Sequence, residues 1–132
     1  MRHVDASSMV HAWDTYPLDI FPKVWEWLAT QIAHNEIVVS QPAKNEVEHV
    51  APDCAAWLGM ASIQICPVSN AALQRAKFLK GNLGIQNDNY HPKGVDENDL
   101  LIICCAYCSS VELVSNEAKQ PSLPSDHRRY KI

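Results

Sequence analysis

The chain has 132 residues, 47% hydrophobic and 20% charged, with a formal net charge of −4. That length gives one domain over 1–132 with no room for a second core, and the composition excludes a disordered chain. The acidic balance argues against a generic nucleic-acid clamp but not against a nuclease, no apolar run is long enough to span a membrane, and "MRHVDASS" has no signal-peptide core, so a cytoplasmic protein is expected.

The first predicted element is a short strand, Arg2 to Val4, which breaks at Asp5 and the serines Ser7 and Ser8. "DTYPLDIFP" is a loop with two prolines. A helix follows from Pro22, which suits a first turn, with Val24, Trp25, Leu28 and Ile32 stepping at helical spacing. Glu36 to Ser40 is a β-branched run and reads as a buried strand. Ser40 caps the next helix, "SQPAKNEVEHV", and "PDCAAWLGMA" gives a short one after it. "SIQICPV" is strand-like. Ser69 caps a helix that stops at Gly81 and Gly84. After the polar loop "IQNDNYHPKG", "VDENDLLIICCAYC" reads as a helix buried nearly all round after its first turn. Val111 to Ser115 is a third strand, "NEAKQPSLPSD" a loop, and "HRRYKI" a possible edge strand.

Strands and helices alternate, which predicts a three-layer α/β/α domain on a mostly parallel sheet. In such sheets ligands bind beyond the carboxyl ends of the strands. Four acids fall at junctions that can meet at that end: Asp5 after the first strand, Glu46 in the helix after the second, Asp99 at the head of the long buried helix, and Glu117 after the third strand. Asp96 shares a helix face with Asp99. Plain helix capping accounts for Asp96, Glu97 and Asp99 one by one, and Asp5 and Glu46 are ordinary when taken alone. Their conjunction is the signal. Crowded carboxylates raise one another's pKa unless a cation intervenes. Mg²⁺ or Mn²⁺, which take oxygen ligands and can activate a bound water, would serve.

At these residues the chain resembles a PIN-domain ribonuclease. The likeness lies in "VDASSMV", "SQPAKNEV", "NDLLIICCA" and "ELVSNE", in that order. More closely, "VDASSMVHAWDTYPLDIFPKVWEWL" is similar to a bacterial PIN-like family found as toxins of VapC type, paired with an antitoxin. The resemblance covers nearly the whole chain. It implies metal-dependent endonucleolytic cleavage of single-stranded RNA with Mg²⁺ or Mn²⁺, a cognate antitoxin as partner, and a homodimer. The family's catalytic metal acids fall on Asp5, Glu46, Asp99 and Glu117, and Ser7 falls on the hydroxyl position near the first acid. Lys44 and Arg128 are the basic residues expected to hold substrate phosphate, and Ser7 is expected to contact substrate with them. The fourth acid is Glu where the wider family commonly has Asp, so Asp96 or Asp126 could share its role as a ligand. The family is also expected to continue past "RRYKI" into a final stretch.

Five cysteines with no signal peptide argue against a disulfide framework, and "CAYC" reads as small buried residues on a helix. Trp25 and Trp57 read as core, and Trp13 and Trp27 as candidates for a dimer or antitoxin interface. Two other functions stay open: a catalytically weak scaffold that binds a partner protein, and a DNA nuclease with the same metal chemistry.

Overall fold

The computed structural model describes residues 1–130. Strands β1 (Arg2–Val4), β2 (Ile37–Ser40), β3 (Ile65–Cys66) and β4 (Glu112–Val114) alternate with helices α1 (Ala6–Thr15), α2 (Pro22–Ala33), α3 (Gln41–Val50), α4 (Pro52–Met60), α5 (Asn70–Asn82) and α6 (Glu97–Cys108). The strands form one sheet in the order β3-β2-β1-β4, and every pairing is parallel. Helices flank this sheet, so the expected α/β class and PIN-like fold are what the chain adopts.

Side chains alternate faces along a strand. Val4 and Val39 therefore point to one face, where they join Met9, Trp25, Ile32 and Leu58 in a buried cluster. His3 and Val38 are register partners and point to the other face. There α6 lies against β2 and β4 and packs on α5, with Ala72, Ala76, Leu100 and Cys104 in a second cluster. Trp25 anchors the first cluster. It is fully buried, and its indole N–H donates to the Tyr16 carbonyl at 2.7 Å. Trp13 and Trp57 meet it edge-on at 5.1 and 4.8 Å between ring centroids, contacts worth about 0.5–1.5 kcal/mol each. Trp13 is thus part of this packing, while Trp27 is 58% exposed.

The structure departs from the sequence reading in three places. Helix α1 was not predicted, although Ala6, Met9, Val10 and Trp13 step at helical spacing and all pack in the first cluster. Its start is masked by Asp5, whose backbone is extended as an N-cap but whose carboxylate makes no capping bond. "HRRYKI" is not an edge strand over the described part: His127–Arg129 form a 3-10 turn, and Lys131 and Ile132 lie outside the described residues. Helix α6 is buried only until its last turn, where Tyr107 and Cys108 are exposed. Cys104 and Cys105 are buried as expected, and Cys108 is not. All five cysteines are free, and burial pushes the Cys105 thiol up to about 11, which suppresses the thiolate needed for metal binding or attack.

Candidate active site

The strand order explains why the acids converge. β2, β1 and β4 are adjacent and parallel, so their carboxyl ends open on the same rim. Asp5 ends β1. Ser40 ends β2 and caps α3, its hydroxyl accepting from the Ala43 amide at 3.4 Å, which sets Glu46 in the second turn. Asn116 and Glu117 follow β4. Helix α6 packs against α3 and brings its N-terminus to the same rim.

Asp5 is buried, at 3% exposure. One carboxylate oxygen accepts from the Ser7 hydroxyl at 2.9 Å and from the Ser115 hydroxyl at 3.1 Å. Each serine is held in turn: Ser7 Oγ accepts from the Asn116 amide, and Ser115 Oγ accepts from the Glu117 amide, both at 3.2 Å. The Asp5 amide donates to the Val114 carbonyl at 2.8 Å. The ends of β1 and β4 are thereby stitched together around one carboxylate. Ser7 is a support for Asp5 in this arrangement. Ser115 has the same function and was missed by sequence reasoning, although "VSNE" carries a hydroxyl two residues before the acid.

Asp96 and Asp99 form a reciprocal capping box. The Asp99 amide donates to the Asp96 carboxylate at 2.8 Å, and the Asp96 amide donates to the Asp99 carboxylate at 3.1 Å. Capping is therefore a real role of both acids, as their sequence positions allowed. It does not exhaust Asp99. Burial first, then the charges of Asp96 and Asp5, push its carboxyl up to about 6 against the hydrogen bond from the Asp96 amide. Glu46 is also raised, by burial and then by Asp99, Asp5, Asp96 and Glu117. The four other acids all act on this one side chain, so the five carboxylates share a field.

They do not close on a common point: among the described residues, no three Asp, Glu, His or Cys side chains stand close enough together to hold a metal ion. The two observations describe different ranges. Repulsion acts across several ångströms, whereas ligation of a small cation needs oxygens near 2 Å from it. The donor set is nevertheless hard oxygen throughout, suited to Mg²⁺ or Mn²⁺ rather than to a thiolate-seeking metal.

The expected phosphate-holding residues are otherwise engaged. Lys44 is largely covered, with its Nζ 4.0 Å from the Glu48 carboxylate. Arg128 forks onto Asp126 through Nε and Nη2 at 3.1 and 2.9 Å, and this pair holds the Asp126 carboxyl down at about 2. Asp126 is thus committed to Arg128 and is not among the groups that act on Glu46. Glu117 is exposed at the rim.

A family model described as "Domain of unknown function (DUF4411)" matches residues 3–132. No curated protein matches the chain. Among solved structures, the fold is similar to a chain in the crystal structure of VapBC2 from Rickettsia felis bound to a DNA fragment from their promoter. The TM-score is 0.59 and the identity 20%, over 89% of this chain and 88% of that one.

Proposed function

The chain belongs to the DUF4411 family, and we propose that it is a metal-dependent endoribonuclease that cleaves single-stranded RNA as the toxin of a toxin–antitoxin pair. The observation that carries this reading is the field of five carboxylates at the carboxyl ends of β1, β2 and β4, with Glu46 and Asp99 both raised by burial and by their acidic neighbours. Such a cluster calls for a cation. The likeness of fold to a VapBC2 chain supports the toxin reading and an antitoxin partner. Exposed Trp27 suits a contact with that antitoxin or with a second copy in a homodimer.

Asp5, Glu46 and Asp99 would hold Mg²⁺ or Mn²⁺, directly or through water, with Asp96 beside them. When bound, the cation supplies a water of lowered pKa and stabilises the leaving oxygen. Ser7 and Ser115 fix the Asp5 carboxylate in one orientation. Glu117, exposed at the rim, would be a further ligand or would position the attacking water. The capping box holds Asp99 at the head of α6.

The test is Mn²⁺ titration by calorimetry together with cleavage of a labelled oligoribonucleotide. Saturable Mn²⁺ binding and cleavage are expected for the parent and are lost in Asp5→Asn and Asp99→Asn, with unchanged circular dichroism. Equal cleavage by parent and both variants would discard the reading. The scaffold alternative is favoured by one observation, the absence of a closed three-ligand group among the described residues. It predicts no Mn²⁺ heat at all. Parallel RNA and DNA substrates separate the ribonuclease from a DNA nuclease.

A further inference from the structure

A cleft of about 610 Å³ lies beside the acidic rim, lined by Lys93, Lys119, Gln120, Pro121, Pro124 and Arg129 among others. Five of the eleven Lys and Arg residues of this acidic chain are committed elsewhere. Arg2, Lys23, Lys44, Lys80 and Arg128 are each in an ion pair. Lys93, Lys119 and Arg129 are exposed, and none of them has an ion-pair partner among the described residues. We propose that these three side chains form the track that binds the phosphodiester backbone of a single-stranded RNA flanking the acidic centre. This inference rests on the ribonuclease reading above.

Both walls of the cleft are tied to the acids. Lys119 follows Glu117 by two residues, so their Cα atoms lie within about 7.6 Å. Lys93 precedes Asp96 by three, within about 11 Å. Arg129 is brought in by packing: the Val95 amide donates to the Tyr130 carbonyl at 3.2 Å, and Gly94 lies directly against the Arg128 carbonyl. A Cβ at Gly94 would collide with that carbonyl, so the close approach requires glycine. The Gln120 side-chain Nε2 then donates to the Arg129 carbonyl at 3.2 Å and joins the two walls.

Compensation of the acids is the competing explanation for these cations. It is disfavoured because, among the described residues, no carboxylate stands within 4.0 Å of any of the three. A bound cation neutralises the centre for the scissile phosphate only, and neighbouring phosphates would still be repelled by an acidic chain. Three exposed cations beside the rim supply the local attraction that the net charge of −4 denies.

The experiment uses the full chain carrying Asp99→Asn, which permits binding without cleavage, and a 5′-fluorescein oligouridylate read by anisotropy over a salt series. Adding Lys93→Gln, Lys119→Gln and Arg129→Gln together should weaken binding at least tenfold. It should also flatten the slope of log K against log salt by about 2, the expectation for three phosphate contacts to a single strand. Lys93→Arg with Lys119→Arg should retain binding, which separates charge from folding. The same three glutamines placed in the Asp99 parent should leave its Mn²⁺ calorimetry unchanged. Unaltered affinity and slope in the glutamine variant would overturn the track while leaving the metal centre standing. Loss confined to a blunt DNA duplex, with oligouridylate unaffected, would overturn it too. Absence of Mn²⁺ binding in the parent would instead strike the ribonuclease reading on which the track depends.

Discussion

The Ser115 hydroxyl donates to the Asp5 carboxylate at 3.1 Å, joining positions 110 residues apart at the ends of β4 and β1. Supports of this kind orient a ligand without touching the metal, and their loss typically lowers metal affinity about 10- to 100-fold. Ser115→Ala is therefore expected to weaken Mn²⁺ binding about tenfold by calorimetry. The stability loss should be only about 1 kcal/mol, because Ser7 still serves the same oxygen. Unchanged Mn²⁺ affinity with lowered stability would reduce Ser115 to a tie between strand ends.

Asp99 is held in an unfavourable state when ionised: it is half-buried among like charges, and its carboxyl is raised to about 6. Asp99→Asn removes the charge and keeps an oxygen to accept from the Asp96 amide. In EDTA the variant should be more stable than the parent by about 1–2 kcal/mol at pH 7.5, after discounting the shift for solvent screening. Mn²⁺ should then raise the melting temperature of the parent and leave the variant where it is. A variant that melts below the parent in EDTA would mean that the capping contribution of the carboxylate outweighs its repulsion.

On the proposed function, proton and metal compete for the same oxygens. The folded pKa of Asp99 is above its ordinary 3.8, so its contribution to stability is fully present below about pH 3.8 and is lost as pH rises through about 6. Glu46 shifts in the same direction. Mn²⁺ affinity should run the opposite way, rising with pH and levelling off above about 7 as Asp99 ionises. Calorimetry from pH 5 to pH 8, in buffers of different ionisation enthalpy, should show proton release near pH 6 that vanishes above it. Pronounced proton release persisting at pH 8 would place the titrating group elsewhere.

The rim itself was legible in the sequence, because alternating strands and helices put Asp5, Glu46, Asp99 and Glu117 at junctions that a parallel sheet gathers at one end. Helix α1 was less so, since Asp5 looks like a turn residue when its carboxylate partners lie at Ser7 and at Ser115, far along the chain. The ion pairs of the two basic residues expected to hold phosphate were not legible either. Lys44 and Arg128 stand near the acids in sequence, but each is committed to a carboxylate of its own helix or turn. The cleft formed by Lys93, Lys119 and Arg129 depends on Gly94 meeting the Arg128 carbonyl, a contact between segments more than thirty residues apart that no local pattern encodes.

His3 supplies a contrary pH effect from within the sheet. It is 1% exposed on the face opposite Val4, and its Nδ1 has no hydrogen-bond partner among the described residues. Burial lowers its pKa from 6.5, so the folded protein holds the ring neutral where the unfolded chain would protonate it. Its contribution to stability is present above pH 6.5 and is lost as pH falls. His3→Leu, similar in volume and without a polar atom to satisfy, should stabilise the protein by about 1 kcal/mol at pH 8. Its advantage over the parent should widen as pH drops from about 7 to 5. Urea titrations of both proteins at each pH isolate the residue, because Asp99 and Glu46 titrate alike in the two. An advantage that stays constant across this range would show that the ring keeps its ordinary pKa within the sheet.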